Sequence, residues 1–199
     1  MTELRRRCTA LVGAVAAGAA SAAHAHAGSQ GGVLSAWLHP LTGADHFVAM
    51  VAVGAWSALL GGRAVWTVPG AFLTFMLFGG MVGFELIDVP GVEVGVALSV
   101  LLLGLAIALG ERLHVGLAAV AVGIFGACHG YLHGYELTVL DQPVLATVGF
   151  MTTTALLHVA GLVAAHFAMR SKGGRRGLRI CGWLAALFGV WLLATRALG

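Results

Sequence analysis

Six apolar runs, each close to the length that crosses a bilayer, take up most of this chain. A bilayer core needs about 20 apolar residues per helical span, and hydropathy places candidates at Ser35–Leu60, Trp66–Glu85, Val92–Leu109, Val115–Leu137, Val144–Met169 and Leu178–Leu198. The breaks between them are short and carry turn chemistry: Gly61-Gly62-Arg63, Asp88-Val89-Pro90-Gly91, Gly110-Glu111-Arg112, Asp141-Gln142-Pro143 and Lys172-Gly173-Gly174. No separate soluble domain fits between them. Only 10% of the 199 residues are charged, against roughly a quarter in soluble domains. The predicted fold class is therefore an all-α polytopic membrane protein of six transmembrane helices. A soluble enzyme and a disordered tail are excluded.

The first 25 residues read as a cleaved secretory signal peptide. Arg5-Arg6-Arg7 form a basic start, residues 11–20 a short apolar stretch, and Ala23-His24-Ala25 a small-x-small cleavage site. Cleavage after Ala25 leaves His26 at the mature N-terminus, and cleavage after Ala23 leaves His24. Residues 26–199 then form the six-helix transmembrane domain, with eight basic and seven acidic residues. That near-balance leaves no footprint for nucleic acid. The two remaining cysteines, Cys128 and Cys181, fall in different spans and suggest no disulfide framework.

An exported N-terminus puts Arg63, Arg112, Arg170, Lys172, Arg175, Arg176 and Arg179 on the cytoplasmic side, with Arg196 alone outside. This is the bias expected of an inner-membrane protein with a periplasmic N-terminus. Glu85, Asp88, Glu93, Glu136 and Asp141 sort to the outer side, where they would concentrate cations. Glycines spaced by four, at Gly79/Gly83, Gly91/Gly95 and Gly126/Gly130/Gly134, predict close helix contacts within the bilayer.

Ionisable groups inside spans are costly and mark function. One cluster is His39-Pro40-Leu41-Thr42-Gly43-Ala44-Asp45-His46 in the first span. The other is His129-Gly130-Tyr131-Leu132-His133-Gly134-Tyr135-Glu136 in the fourth. His129, His133 and Glu136 share one helix face, and two imidazoles at i, i+4 can grip one ion. His39 and His46 also face one way. On a straight helix they are separated by about 10.5 Å of rise, too far to share an ion. Either His39 sits at a mouth above a deeper site, or Pro40–Gly43 bends. Asp45 can reach a neighbouring helix or orient a histidine from behind. In oppositely directed spans the two clusters fall at one depth, and Asp45 with Glu136 would offset the charge of a divalent ion. His158, in the fifth span, either continues a polar path inward or makes a structural hydrogen bond. His26 beside the cleavage junction either captures metal or is incidental. Met50 and Cys128 read as packing.

These two clusters resemble the motifs of the HupE/UreJ family of bacterial nickel/cobalt permeases. His39-Pro40 through Asp45-His46 is similar to the family's H-x₅-D-H pattern, and His129-Gly130-x-x-His133-Gly134-x-Glu136 to its H-G-x-A-H-G-x-E pattern. Cys128 and Leu132 stand where the family usually has an aromatic residue and an alanine; neither is a ligand position. The resemblance covers essentially the whole chain. It implies secondary import of Ni²⁺ or Co²⁺ as substrate, no resident cofactor, and a link to hydrogenase or urease maturation. The lipid bilayer is the other expected partner. Imidazole and carboxylate donors suit several divalent metals, so the residues alone leave the metal open.

The chain carries no G-x-x-x-x-G-K-[ST] nucleotide motif. An intramembrane zinc hydrolase would use the same residue types and is the alternative. A b-type haem protein fits less well beside the carboxylates. Because imidazole binds metal only when neutral, import should weaken as outside pH falls below about 6.5, the ordinary histidine value.

Overall fold

The computed structural model describes residues 32–198. The segment expected to be a signal peptide, with His24 and His26, lies outside the described residues. Seven helices follow in order among them: α1 (Val33–Thr42), α2 (Ala44–Leu60), α3 (Ala64–Phe84), α4 (Val92–Leu109), α5 (Val115–Leu137), α6 (Pro143–Ala168) and α7 (Lys172–Leu198). Helices α3 to α7 are each long and apolar enough to cross a membrane. Counting the bent α1–α2 pair as one span brings the number to six.

The first expected span is thus broken rather than straight. Gly43 takes an extended backbone (φ −76°, ψ 109°) between α1 and α2. Its N–H closes α1 on the His39 carbonyl, and its own carbonyl accepts the Phe47 N–H that opens α2. The two helices meet at 68°. A Cβ on Gly43 would lie 3.2 Å from His46 Nδ1 and 3.3 Å from the His39 carbonyl oxygen. Glycine is therefore the residue that lets the chain turn this tightly over its own histidines.

The other boundaries follow local signals. α4 and α5 coincide with the runs read from hydropathy. α7 starts six residues before the expected Leu178, because Ser171 Oγ accepts the Gly174 N–H at 2.9 Å and caps the helix. The basic residues from Lys172 to Arg179 thereby become the first two turns of the last helix.

Packing is pairwise: α3 on α5, α4 on α7, and α2 with α1 on α6. Glycines set the first of these contacts. A Cβ on Gly79 or Gly83 of α3 would strike the α5 carbonyls of Ala127 or Tyr131. One on Gly126, Gly130 or Gly134 of α5 would strike the α3 carbonyls of Phe72, Met76 or Gly80. Two four-spaced glycine stripes thus interlock, so the backbones touch. Gly91 instead serves as a left-handed cap before α4 (φ 78°) with open space around it.

Met50, Val53, Trp56, Phe72, Met76 and Leu103 pack the main core. Outside, Leu117, Val120 and Ile124 of α5 are 63%, 62% and 58% exposed. An outward apolar face of this extent needs lipid rather than water. The ends of the bundle differ in charge. Arg63, Arg112 and the basic start of α7 share one end. That end is tied together by Trp56 Nε1–H donating to the Glu111 carbonyl (3.1 Å) and Arg179 Nε–H to the Ala108 carbonyl (2.9 Å). Glu85, Asp88, Glu93 and Asp141 lie toward the opposite end, called here the acidic face.

Candidate metal centre

The bend at Gly43 folds α1 back over the start of α2, and the His39 and His46 rings come to 5.2 Å between centroids. From α5, His133 lies 4.8 Å from His39 and 4.6 Å from His46. His129, one turn further along, lies 5.0 Å from His46. Two motifs more than eighty residues apart therefore meet as one cluster of four imidazoles inside the bundle. His46, His129 and His133 are buried, and His39 is half-buried.

Each of the three buried rings is oriented in the same manner. His46 Nδ1–H donates to Asp45 Oδ1 at 2.8 Å. His129 Nδ1–H donates to the Phe125 carbonyl at 2.9 Å. His133 Nδ1–H donates to Glu136 Oε2 at 3.2 Å. A carboxylate or a carbonyl only accepts, so the proton is held on Nδ1 and the lone pair on Nε2. All three Nε2 atoms are buried with no protein partner. Buried polar atoms are normally paired; three orphaned imidazole acceptors within one cluster of rings suit a cation. One nitrogen each from His39, His46 and His133 lies within 4.8 Å of the others. An ion with metal–nitrogen bonds of about 2.1 Å holds its donors roughly 3–3.5 Å apart, so small ring rotations would close the three onto it.

The carboxylates stand behind the rings. Asp45 Oδ1 takes both the His46 backbone N–H (2.9 Å) and its ring Nδ1–H. Its Oδ2 takes Arg196 Nη2–H at 2.9 Å. Glu136, 53% exposed in its side chain, reaches from the acidic face to His133. Both acids sit where they raise imidazole basicity and fix ring direction.

Arg196 has no place in the sequence reading of the site. It is the one basic residue assigned to the outer side, and that isolation was its signal. From the last turn of α7 it donates to Asp45 and to the Glu93 carbonyl, tying the last helix to the first motif. Trp37 holds α1 in place. Its Nε1–H donates to the Leu145 carbonyl at 3.0 Å, and its ring fills the notch left by Gly149 on α6. Phe150 closes the far side of His133 at 3.9 Å between ring centroids. His158 is buried on α6 but is not among the four clustered rings. Met50 is fully buried in the core, and Cys128 faces Gly95 of α4. Tyr131 Oη–H donates to the Ile87 carbonyl at 2.8 Å and staples the α3–α4 loop.

The family model described as HupE / UreJ protein matches residues 11–192. The chain belongs to the HupE/UreJ family. Protein HupE of Rhizobium leguminosarum bv. viciae is 42% identical over 174 residues, covering 87% of this chain and 91% of that protein. No solved structure matches the chain. In this HupE/UreJ protein both histidine motifs and the bend between His39 and His46 fall within the matched region.

Proposed function

We propose that this chain is a secondary permease that imports a divalent metal ion, Ni²⁺ or Co²⁺, across the bacterial inner membrane. The acidic face is periplasmic in this reading. The grouping of one ring nitrogen each from His39, His46 and His133, with the Nε2 atoms of His46 and His133 left without a protein partner, carries it. The ion sheds water onto His39, His46 and His133, with His129 adjoining one turn deeper. Neutral imidazoles are ordinary ligands for these metals. Glu136 supplies negative charge behind His133, which lowers the cost of bringing a dication into a low-dielectric interior, while Asp45, paired with Arg196, orients His46. Glu136, the more exposed of the two, receives the ion first. The chain catalyses no covalent step, and its cargo serves nickel-dependent maturation of hydrogenase or urease.

The test is accumulation of radiolabelled Ni²⁺ and Co²⁺ in cells lacking their own importers. Wild type should accumulate one or both, and His133→Ala should not. Wild-type cells that take up no divalent metal would refute the permease reading.

A further inference from the structure

Below the four-imidazole cluster lies a second group of unsatisfied polar atoms. His158 is 2% exposed and Thr154 is fully buried. Neither His158 ring nitrogen has a partner, and neither does Thr154 Oγ1. Thr154 is one turn before His158, so the two share a face of α6. The contrast within α6 is informative. Thr147 and Thr152 each donate to the carbonyl four residues back, at 2.8 and 2.7 Å. Thr154 makes no such bond, although this is the ordinary way for a threonine to satisfy itself inside an apolar helix.

The backbone beneath His158 is held rigidly. A Cβ on Gly54 of α2 would strike the His158 carbonyl, and one on Gly161 would strike Val51. The α2–α6 contact is thus closest beside His158, and a buried, unpaired imidazole is kept there at an energetic cost.

Phe72 of α3 separates this group from the cluster. Its ring centroid is 5.4 Å from His129 and 5.1 Å from His158, edge-on to the latter at 88°. His129 lies eight residues before the end of α5 at the acidic face, and His158 fifteen residues after the start of α6 at that face. His158 is therefore the deeper of the two. The Nε2 of His129 is itself unpartnered, which leaves it available between the two levels.

We propose that His158, assisted by Thr154, is an inner binding station for the divalent ion, reached from His129 when the Phe72 ring swings aside. A ring face also tolerates a passing cation better than an aliphatic side chain does. This rests on the permease reading and extends it by one step of the path.

The experiment pairs cellular uptake of Co²⁺ with equilibrium binding of Co²⁺ to the purified full chain in detergent. His158→Leu should keep the Co²⁺ held by the outer histidines and should lower uptake by at least roughly 10–100-fold, the loss seen when even a residue behind a metal ligand is removed. Removal of unpaired polar atoms should leave its melting temperature unchanged or raised. Thr154→Val, nearly isosteric, should lower uptake without loss of folded protein. His158→Cys should add a thiolate-to-cobalt charge-transfer absorption absent from wild type, which a purely structural residue would not produce. Wild-type uptake by His158→Leu, or no new absorption in His158→Cys, overturns the inner station while leaving the outer site intact. Wild type that accumulates no metal overturns the permease reading, and this inference with it.

Discussion

Asp45→Ala should weaken metal binding and stability by separable amounts. Asp45 makes three contacts of two kinds: the His46 N–H and ring Nδ1–H on Oδ1, and Arg196 on Oδ2. Loss of a residue that orients a metal-binding histidine costs about 10–100-fold in affinity, or about 1.4–2.7 kcal/mol. Loss of one partner of a buried ion pair costs about 3–5 kcal/mol. The Arg196 and Asp45 side chains retain 17% and 14% exposure, and Arg196 keeps the Glu93 carbonyl. The stability loss should therefore fall near the lower end, about 3 kcal/mol. Arg196→Leu separates the terms: it breaks the ion pair but leaves both Asp45–His46 bonds. Its stability should fall by a similar amount while its metal affinity stays near wild type. Equilibrium dialysis of Ni²⁺ or Co²⁺ measures the first quantity and thermal unfolding in detergent the second. Equal loss of affinity in Arg196→Leu and Asp45→Ala would refute the idea that Asp45 acts by orienting His46.

Other expectations follow from single contacts. Glu136→Gln should reduce uptake less than Asp45→Ala, because Glu136 is half in solvent and its single ring bond is longer; parallel uptake assays rank the two. Trp37→Phe removes the hydrogen bond that pins α1 to Leu145, worth about 0.5–1.5 kcal/mol. Dialysis should therefore show a roughly 2–10-fold weaker metal affinity. Gly130→Val drives a side chain into the Met76 carbonyl of α3. It should cost about 1–3 kcal/mol or more, read as a lower melting temperature and yield of folded protein. Gly43→Ala places a methyl 3.2 Å from His46 Nδ1; it should lower uptake with little change in folded yield, measured together in cells.

The spans and the two motifs were legible because hydropathy and four-residue spacing are local. Both bounds of α4 and α5 can be read directly from their apolar runs. The glycine stripes of α3 and α5 announced a close contact, although only the fold shows that they interlock with each other. Pro40 and Gly43 signalled that a bend was permitted. The 68° angle that brings His39 onto His46 depends on Trp37 and Gly149 across on α6, which no local pattern joins to it. Spacing placed Asp45 and Glu136 beside the histidines, but not the direction of their oxygens onto Nδ1. Arg196 is 151 residues from its partner Asp45, a separation that leaves no periodic trace. The early start of α7 was missed because glycines and charges obscured the Ser171 cap.

The central claim is that His39, His46 and His133 hold one divalent ion. X-ray absorption at the nickel or cobalt edge of the loaded, purified chain tests it most directly. The account predicts imidazole scattering from several rings around the metal, reduced by one ring in His133→Ala. A first shell of oxygen alone, or a spectrum indifferent to that substitution, would contradict it.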